Sequence, residues 1–170
     1  MKKTKEGIPV VNRQELNLIL DRIKEKGSPK GILLMGKPGV GKTTIMKNIV
    51  GQFYSSNKIA THYMLKGIEG FVNQQGNLMF DTSCIDDLGT EIIPSHYGNK
   101  LDLSPYLLQI AYEQNREFNF YTTNLSYDEL KERYGNRVVD RLQEKCYFFI
   151  LEDTPFRELA TAETINKDLQ

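Results

Sequence analysis

The chain has 170 residues, 39% of them hydrophobic, enough for one globular domain that buries about 70% of the surface its unfolded form would expose, without staples. Lysine plus arginine and aspartate plus glutamate balance at 22 each, which excludes a whole-protein field for nucleic acid and leaves only local patches to make such contacts. Neither a signal-peptide core nor an apolar run of transmembrane length occurs, and Cys84, Cys146, His62 and His96 lack metal-ligand spacing, so the expectation is a cytoplasmic protein in a reducing compartment, with no membrane contact.

Leu16, Ile19, Leu20 and Ile23 recur at helical spacing and predict a helix over 13–26 that stops at Gly27, before Pro29. Ile32 to Met35 reads as a short buried strand. The run Gly36-Lys37-Pro38-Gly39-Val40-Gly41-Lys42-Thr43 follows, and then a helix with Ile45, Met46, Ile49, Val50 and Phe53 on one face. Residues 59–65 read as the next strand, and 66–76 are weakly patterned, with a short helix around Ile68, Phe71 and Val72. A strand over 80–86 leads into the pair Asp86-Asp87. Ser104-Pro105 opens a helix, Ser as cap and Pro at the first helical position, with Leu107, Leu108 and Ala111 as its apolar side. Residues 118–123 form a strand, Ser126 and Glu129 make a capping box, and a helix over 136–144 carries Val138, Val139 and Leu142. A nearly continuous apolar strand covers 146–151, and Thr154-Pro155 starts a C-terminal helix. Strands alternating with helices predict an α/β fold, a parallel five-stranded sheet sandwiched between helices, with ligands at the carboxyl ends of the strands.

The glycine-rich run between strand and helix is a phosphate-binding P-loop. Its glycines let successive N–H groups, and the N-terminus of the helix that opens with Lys42, Thr43 and Thr44, turn toward a nucleotide's phosphates. Lys42 would reach the β- and γ-phosphates of ATP, and the Thr43 hydroxyl would ligate Mg²⁺. Asp86, at the end of a buried strand, is the candidate second holder of Mg²⁺, and Asp87 the candidate general base for the attacking water. A small-molecule or nucleotide kinase would also begin with a P-loop, but it would need an arginine-bearing lid and an acceptor pocket.

The ordered segments "CIDDLGTE", "FYTTNLSYDEL" and "RYGNRVVDRL" resemble the DnaC/IstB-type branch of the AAA+ ATPases, the helicase loaders and transposition helper ATPases; the similarity spans about residues 30–157. The resemblance implies an ATPase in which Asn124 is the sensor-1 residue at the γ-phosphate and Arg141 is the arginine finger offered to ATP on a neighbouring subunit. Arg137, one turn earlier, is the alternative finger or a brace. Arg157 matches the sensor-2 position. It further implies head-to-tail homo-oligomers on single-stranded DNA, touched by His96, Tyr97 and Lys100 beyond the acidic pair, and a replicative helicase or a transposase as protein partner. A nucleotide-gated adaptor with little turnover is the other reading. Only a short stretch precedes the P-loop strand, so the expected organisation is a minimal single AAA+ domain: 1–28 an N-terminal helix and linker, 29–157 the core, 158–170 a C-terminal tail, with the full helical lid absent.

Overall fold

The structure, a computed structural model, describes residues 2–27, 30–51, 54–66, 72–75, 84–93, 95–96, 99–100, 102–114 and 118–153, with backbone only for 62–66, 95, 96 and 99. The strands are β1 (Lys2–Lys3), β2 (Pro9–Val11), β3 (Gly31–Met35), β4 (Tyr54–Ser55), β5 (Cys84–Leu88), β6 (Ser95–His96), β7 (Asn99–Lys100), β8 (Phe120–Thr123) and β9 (Cys146–Leu151). The helices are α1 (Arg13–Lys26), α2 (Lys42–Val50), α3 (Ser56–Lys66), α4 (Ser104–Glu113), α5 (Tyr127–Tyr134) and α6 (Asn136–Lys145).

Seven strands form the main sheet in the order β1-β2-β9-β3-β8-β5-β4, not the five expected. The additions are β1 and β2, of two and three residues, too short to show a period. They cover the free edge of β9: β2 runs parallel to β9, and β1 pairs antiparallel with β2. The other strands of the sheet are all parallel, as expected.

Burial on both faces explains why β3 is an unbroken apolar run. Its residues alternate between two clusters. Ile32 and Leu34 pack with Leu16 and Leu20 of α1, Ile45 and Met46 of α2, and Phe120. Leu33 and Met35 face the opposite layer, with Leu107 of α4, Val139 of α6, Leu130 of α5 and Tyr121. At the start of β3, a Cβ on Gly31 would stand 2.0 Å from the Asn119 carbonyl oxygen, so only glycine fits this close strand approach.

Helix ends follow their local chemistry. Asn12 accepts from the Glu15 N–H while Glu15 returns a bond to the Asn12 N–H, and Gly27 closes α1 in the left-handed region at φ 61°. Ser126 and Glu129 form the expected reciprocal box on α5. For α4 the cap shifts. The Asp102 carboxylate accepts the Ser104 N–H at 3.0 Å, and Ser104 is the first helical residue and not the cap. The expected strand over 59–65 is instead helix α3. The edge position beside β5 is filled by Tyr54 and Ser55, and Ile59 and Ala60 are buried in the core as part of the helix. The expected elements around Ile68 and Phe71 and after Thr154 lie outside the described residues. No helix among the described residues is long and apolar enough to cross a membrane.

Candidate nucleotide-binding site

Strand order builds the site. Because β8 lies between β3 and β5, the carboxyl end of β8 delivers Asn124 between the P-loop that leaves β3 and the acidic pair on β5. The loop itself turns through Gly36, Gly39 and Gly41 at φ 147°, 87° and 93°, and Lys37, Pro38 and Gly39 are exposed. Gly36 has a second constraint: a Cβ there would approach the Leu151 carbonyl oxygen to 2.6 Å. Val40 is buried beneath the loop, and the Arg13 guanidinium donates to its carbonyl at 3.2 Å. The N–H groups of the first turn of α2 therefore open onto the same edge as the loop.

Lys42 is the first residue of α2, and its ammonium is drawn inward. It donates to the Gly36 and Lys37 carbonyls at 2.7 and 2.9 Å and to the Asn124 amide oxygen at 2.7 Å. Thr43 donates to Asp86 Oδ1 at 3.0 Å. Thr44 is exposed beside them.

A bulge explains why two successive aspartates serve one edge. Ile85 pairs with Tyr121 and Leu88 with Thr123, so Asp86 and Asp87 together oppose Thr122. In a regular strand their side chains would point to opposite faces. Here Asp87 takes φ 57°, Asp86 meets Thr43, and Asp87 Oδ1 lies 3.5 Å from the Asn124 amide nitrogen. Thr122, fully buried, holds the bulge: its hydroxyl donates to Asp86 Oδ1 at 2.5 Å and accepts the Asp87 N–H at 2.8 Å. Ser56 Oγ and Thr90 Oγ1 donate to the Asp87 carbonyl at 2.6 and 2.8 Å. The left-handed turn at a non-glycine residue is thus tied down on both its N–H and its C=O.

Burial and neighbouring charge compete at this edge. Burial holds the Lys42 ammonium below its ordinary pKa, against the pull of Asp87 and Asp86. Burial first, and the Asp86 carboxylate second, push the Asp87 carboxyl above its usual value, with Lys42 opposing. A carboxyl tuned upward in this way is suited to accepting a proton from water. The Thr43 hydroxyl and the Asp86 carboxylate are hard oxygen donors 3.0 Å apart beside an anion-cradling loop, a donor set that fits Mg²⁺ bound with a nucleotide's phosphates.

Lys42, Thr43, Asp86, Asp87 and Asn124 therefore converge on one edge. Arg141 does not join them. Its half-buried guanidinium sits 3.5 Å from Glu113 and 4.8 Å from the Tyr112 ring centroid, against α4. Arg137 is exposed on the preceding turn of α6. Lys100 is exposed on β7, and the backbone of His96 lies on β6; Tyr97, Arg157 and the His96 side chain are outside the described residues. Sequence reasoning missed Thr122, Ser56 and Thr90. Ser56 and Thr122 act across 31 to 36 positions, Thr90 reaches the Asp87 carbonyl from three residues on, and a threonine in "FYTT" reads only as strand propensity.

No protein-family model and no curated protein matches the chain. Among solved structures, the crystal structure of the DnaC helicase loader matches over 89% of this chain and 94% of that one, with a TM-score of 0.56 and 20% sequence identity. At that identity the likeness concerns the fold. The strand order, the glycine-rich loop between β3 and α2 and this match together give the chain the α/β fold of the DnaC helicase loader.

Proposed function

We propose that this protein binds ATP with Mg²⁺ at the P-loop edge, hydrolyses it, and assembles head to tail on single-stranded DNA as a loader of a replicative helicase. The convergence of Lys42, Asn124 and Asp87 on one side and Thr43 and Asp86 on the other carries the reading. Mg²⁺, when bound with ATP, would neutralise phosphate charge and orient the γ-phosphate; Thr43 and Asp86 are the residues that would hold it. Lys42 would exchange its loop carbonyls for phosphate oxygens, trading neutral acceptors for charged ones. Asn124 would orient the attacking water, and Asp87 would take its proton. The one domain then needs a neighbour to complete catalysis, and Arg141 or Arg137 of α6 would supply the guanidinium in trans.

Steady-state ATP hydrolysis against protein concentration, with and without single-stranded DNA, tests this, with Arg141→Ala as the matched variant. Cooperative, DNA-stimulated turnover that falls by 10³-fold or so in the variant is the expected result. Background turnover indifferent to concentration and DNA would refute the motor and favour a nucleotide-gated adaptor. The same site would serve a transposition helper of the IstB type, and the partner bound, helicase or transposase, separates the two readings.

A further inference from the structure

Two elements outside the P-loop grip it. At its start, Gly36 lies so close to the end of β9 that a Cβ would stand 2.6 Å from the Leu151 carbonyl oxygen. Near its end, half-buried Arg13 donates through Nη2 to the Val40 carbonyl at 3.2 Å. Arg13 opens α1, 27 positions before Val40, and belongs to no part of the glycine-rich run. Its base is fixed. Leu16 and Leu20 hold α1 in one core cluster with Ile45 and Met46 of α2, and the Arg13 N–H donates to the Asp153 carboxylate at 3.0 Å. The guanidinium thus reaches the loop from the cleft between α1 and α2, which Arg13 lines together with Asn17, Ile45 and Asn48.

The effect of that contact falls on the next N–H. No described peptide bond is cis, so the Val40 carbonyl and the Gly41 N–H share one planar trans unit and point in opposite directions. With the carbonyl held toward Arg13, the Gly41 N–H is turned away from α1. The peptide on the other side of Gly41 is fixed as well, because its carbonyl accepts the Ile45 N–H at 3.1 Å. Gly41 itself, at φ 93°, carries no side chain to restrict it. Without the guanidinium, the unit joining Val40 to Gly41 is free to rotate and to carry the N–H out of the loop.

We propose that Arg13 is a positioning residue for phosphate binding: by holding the Val40 carbonyl outward, it keeps the Gly41 N–H directed at the β-phosphate and completes the cradle from outside the loop. This rests on the proposed nucleotide binding and asks nothing of hydrolysis, DNA or a neighbouring subunit. A donor fixed before the ligand arrives lowers the ordering cost of binding. ADP and ATP both carry a β-phosphate, so both gain alike. Binding of ground state and transition state is strengthened equally, which lowers KM and leaves kcat unchanged.

Calorimetric titration of the full chain with ADP, and with a slowly hydrolysed ATP analogue plus Mg²⁺, tests this in wild type, Arg13→Met and Arg13→Lys. Arg13→Met keeps a stem over the cleft and removes the donor. Both ligands should bind it about 10-fold more weakly or worse, with the number of sites per folded chain unchanged, whereas a merely structural loss would lower the number of sites. Arg13→Lys keeps a charged donor for a single bond and should stay within about 3-fold of wild type. The ratio between wild type and Arg13→Met should persist as salt rises from about 0.1 to about 1 M, because a half-buried hydrogen bond is screened little. Steady-state turnover should show the loss in KM, with kcat within about 2-fold. Arg13→Ala replaces Arg13→Met if the methionine variant folds poorly. Folded Arg13→Met or Arg13→Ala with wild-type affinity overturns the role, as does Arg13→Lys as weak as Arg13→Met. A loss that vanishes at high salt also overturns it, by assigning the effect to long-range charge. Wild-type protein that binds neither ligand overturns the proposed nucleotide binding itself.

Discussion

Replacing Thr122 with valine tests the bulge that presents both aspartates. The two side chains are nearly isosteric and both favour strands, so shape and propensity are kept while the hydroxyl is lost. Two bonds disappear in a fully buried position: the 2.5 Å bond to Asp86 Oδ1 and the 2.8 Å bond from the Asp87 N–H. A hydrogen bond to a charged group contributes about 1.5–3 kcal/mol, and a stranded buried N–H costs about 1–3 kcal/mol. The added methyl returns up to about 0.8 kcal/mol, and water can reach part of this edge, so the net loss should be about 3 kcal/mol. For a domain of this size that lowers Tm by about 6–12 °C. Thermal unfolding followed by circular dichroism measures it, with Thr122→Ser as the control that restores the hydroxyl and stays within about 1 kcal/mol of wild type. The variant should also lose Mg²⁺-dependent turnover out of proportion to its stability at the assay temperature. Thr122→Val as stable as wild type would show that the threonine does not hold the bulge.

Gly31→Ala should be more severe, costing about 4 kcal/mol or more, because its Cβ would meet backbone atoms of Asn119 at 2.0–2.7 Å at the start of the β3 and β8 pairing; denaturant titration measures this, and a loss under about 1 kcal/mol would contradict the close approach. The pH profile of kcat/KM, which reports the free enzyme, should show an acid limb above the ordinary carboxylate range of about 4, because Asp87 is held high by burial and by Asp86. The same shift bears on stability. A carboxyl whose folded pKa is raised stabilises the fold below its unfolded value and loses that contribution as pH rises through the folded one. Asp87→Asn should accordingly raise Tm relative to wild type at neutral pH and not at pH 3, and equal values at both would refute the assignment.

Much of the site was legible because its signals are local. The P-loop is a contiguous run, and the helices α1 and α5 carry their stops and caps within a few residues: Gly27 for one, Ser126 with Glu129 for the other. Where the reading failed, a distant contact decided. Residues 59–65 hold β-branched and aromatic side chains, yet they are helical because β4 already occupies the sheet edge and α3 turns Ile59 and Ala60 into the core. Strand β2 exists through pairing with β9 across most of the chain, which no short window can show, and β1 is added to the sheet on β2. Asp86 and Asp87 could be named from their place after a strand, but the bulge that turns both to one edge depends on Thr122, and the burial of Glu91 depends on Arg133 and Tyr134. Arg141 is named from the resemblance alone; its guanidinium rests on Tyr112 and Glu113, away from the P-loop edge.

Calorimetric titration of ATP, with Mg²⁺ and with EDTA, into wild type, Lys42→Ala and Asp86→Asn is the most direct test of the nucleotide site. One site per chain is expected in the wild type. Lys42→Ala should bind at least about 100-fold more weakly, about 2.7 kcal/mol, for loss of a charge-assisted phosphate contact. Asp86→Asn should bind ATP with little response to Mg²⁺. An absence of binding in the wild type, or Lys42→Ala binding as tightly as wild type, would contradict the assignment of this edge to a nucleotide.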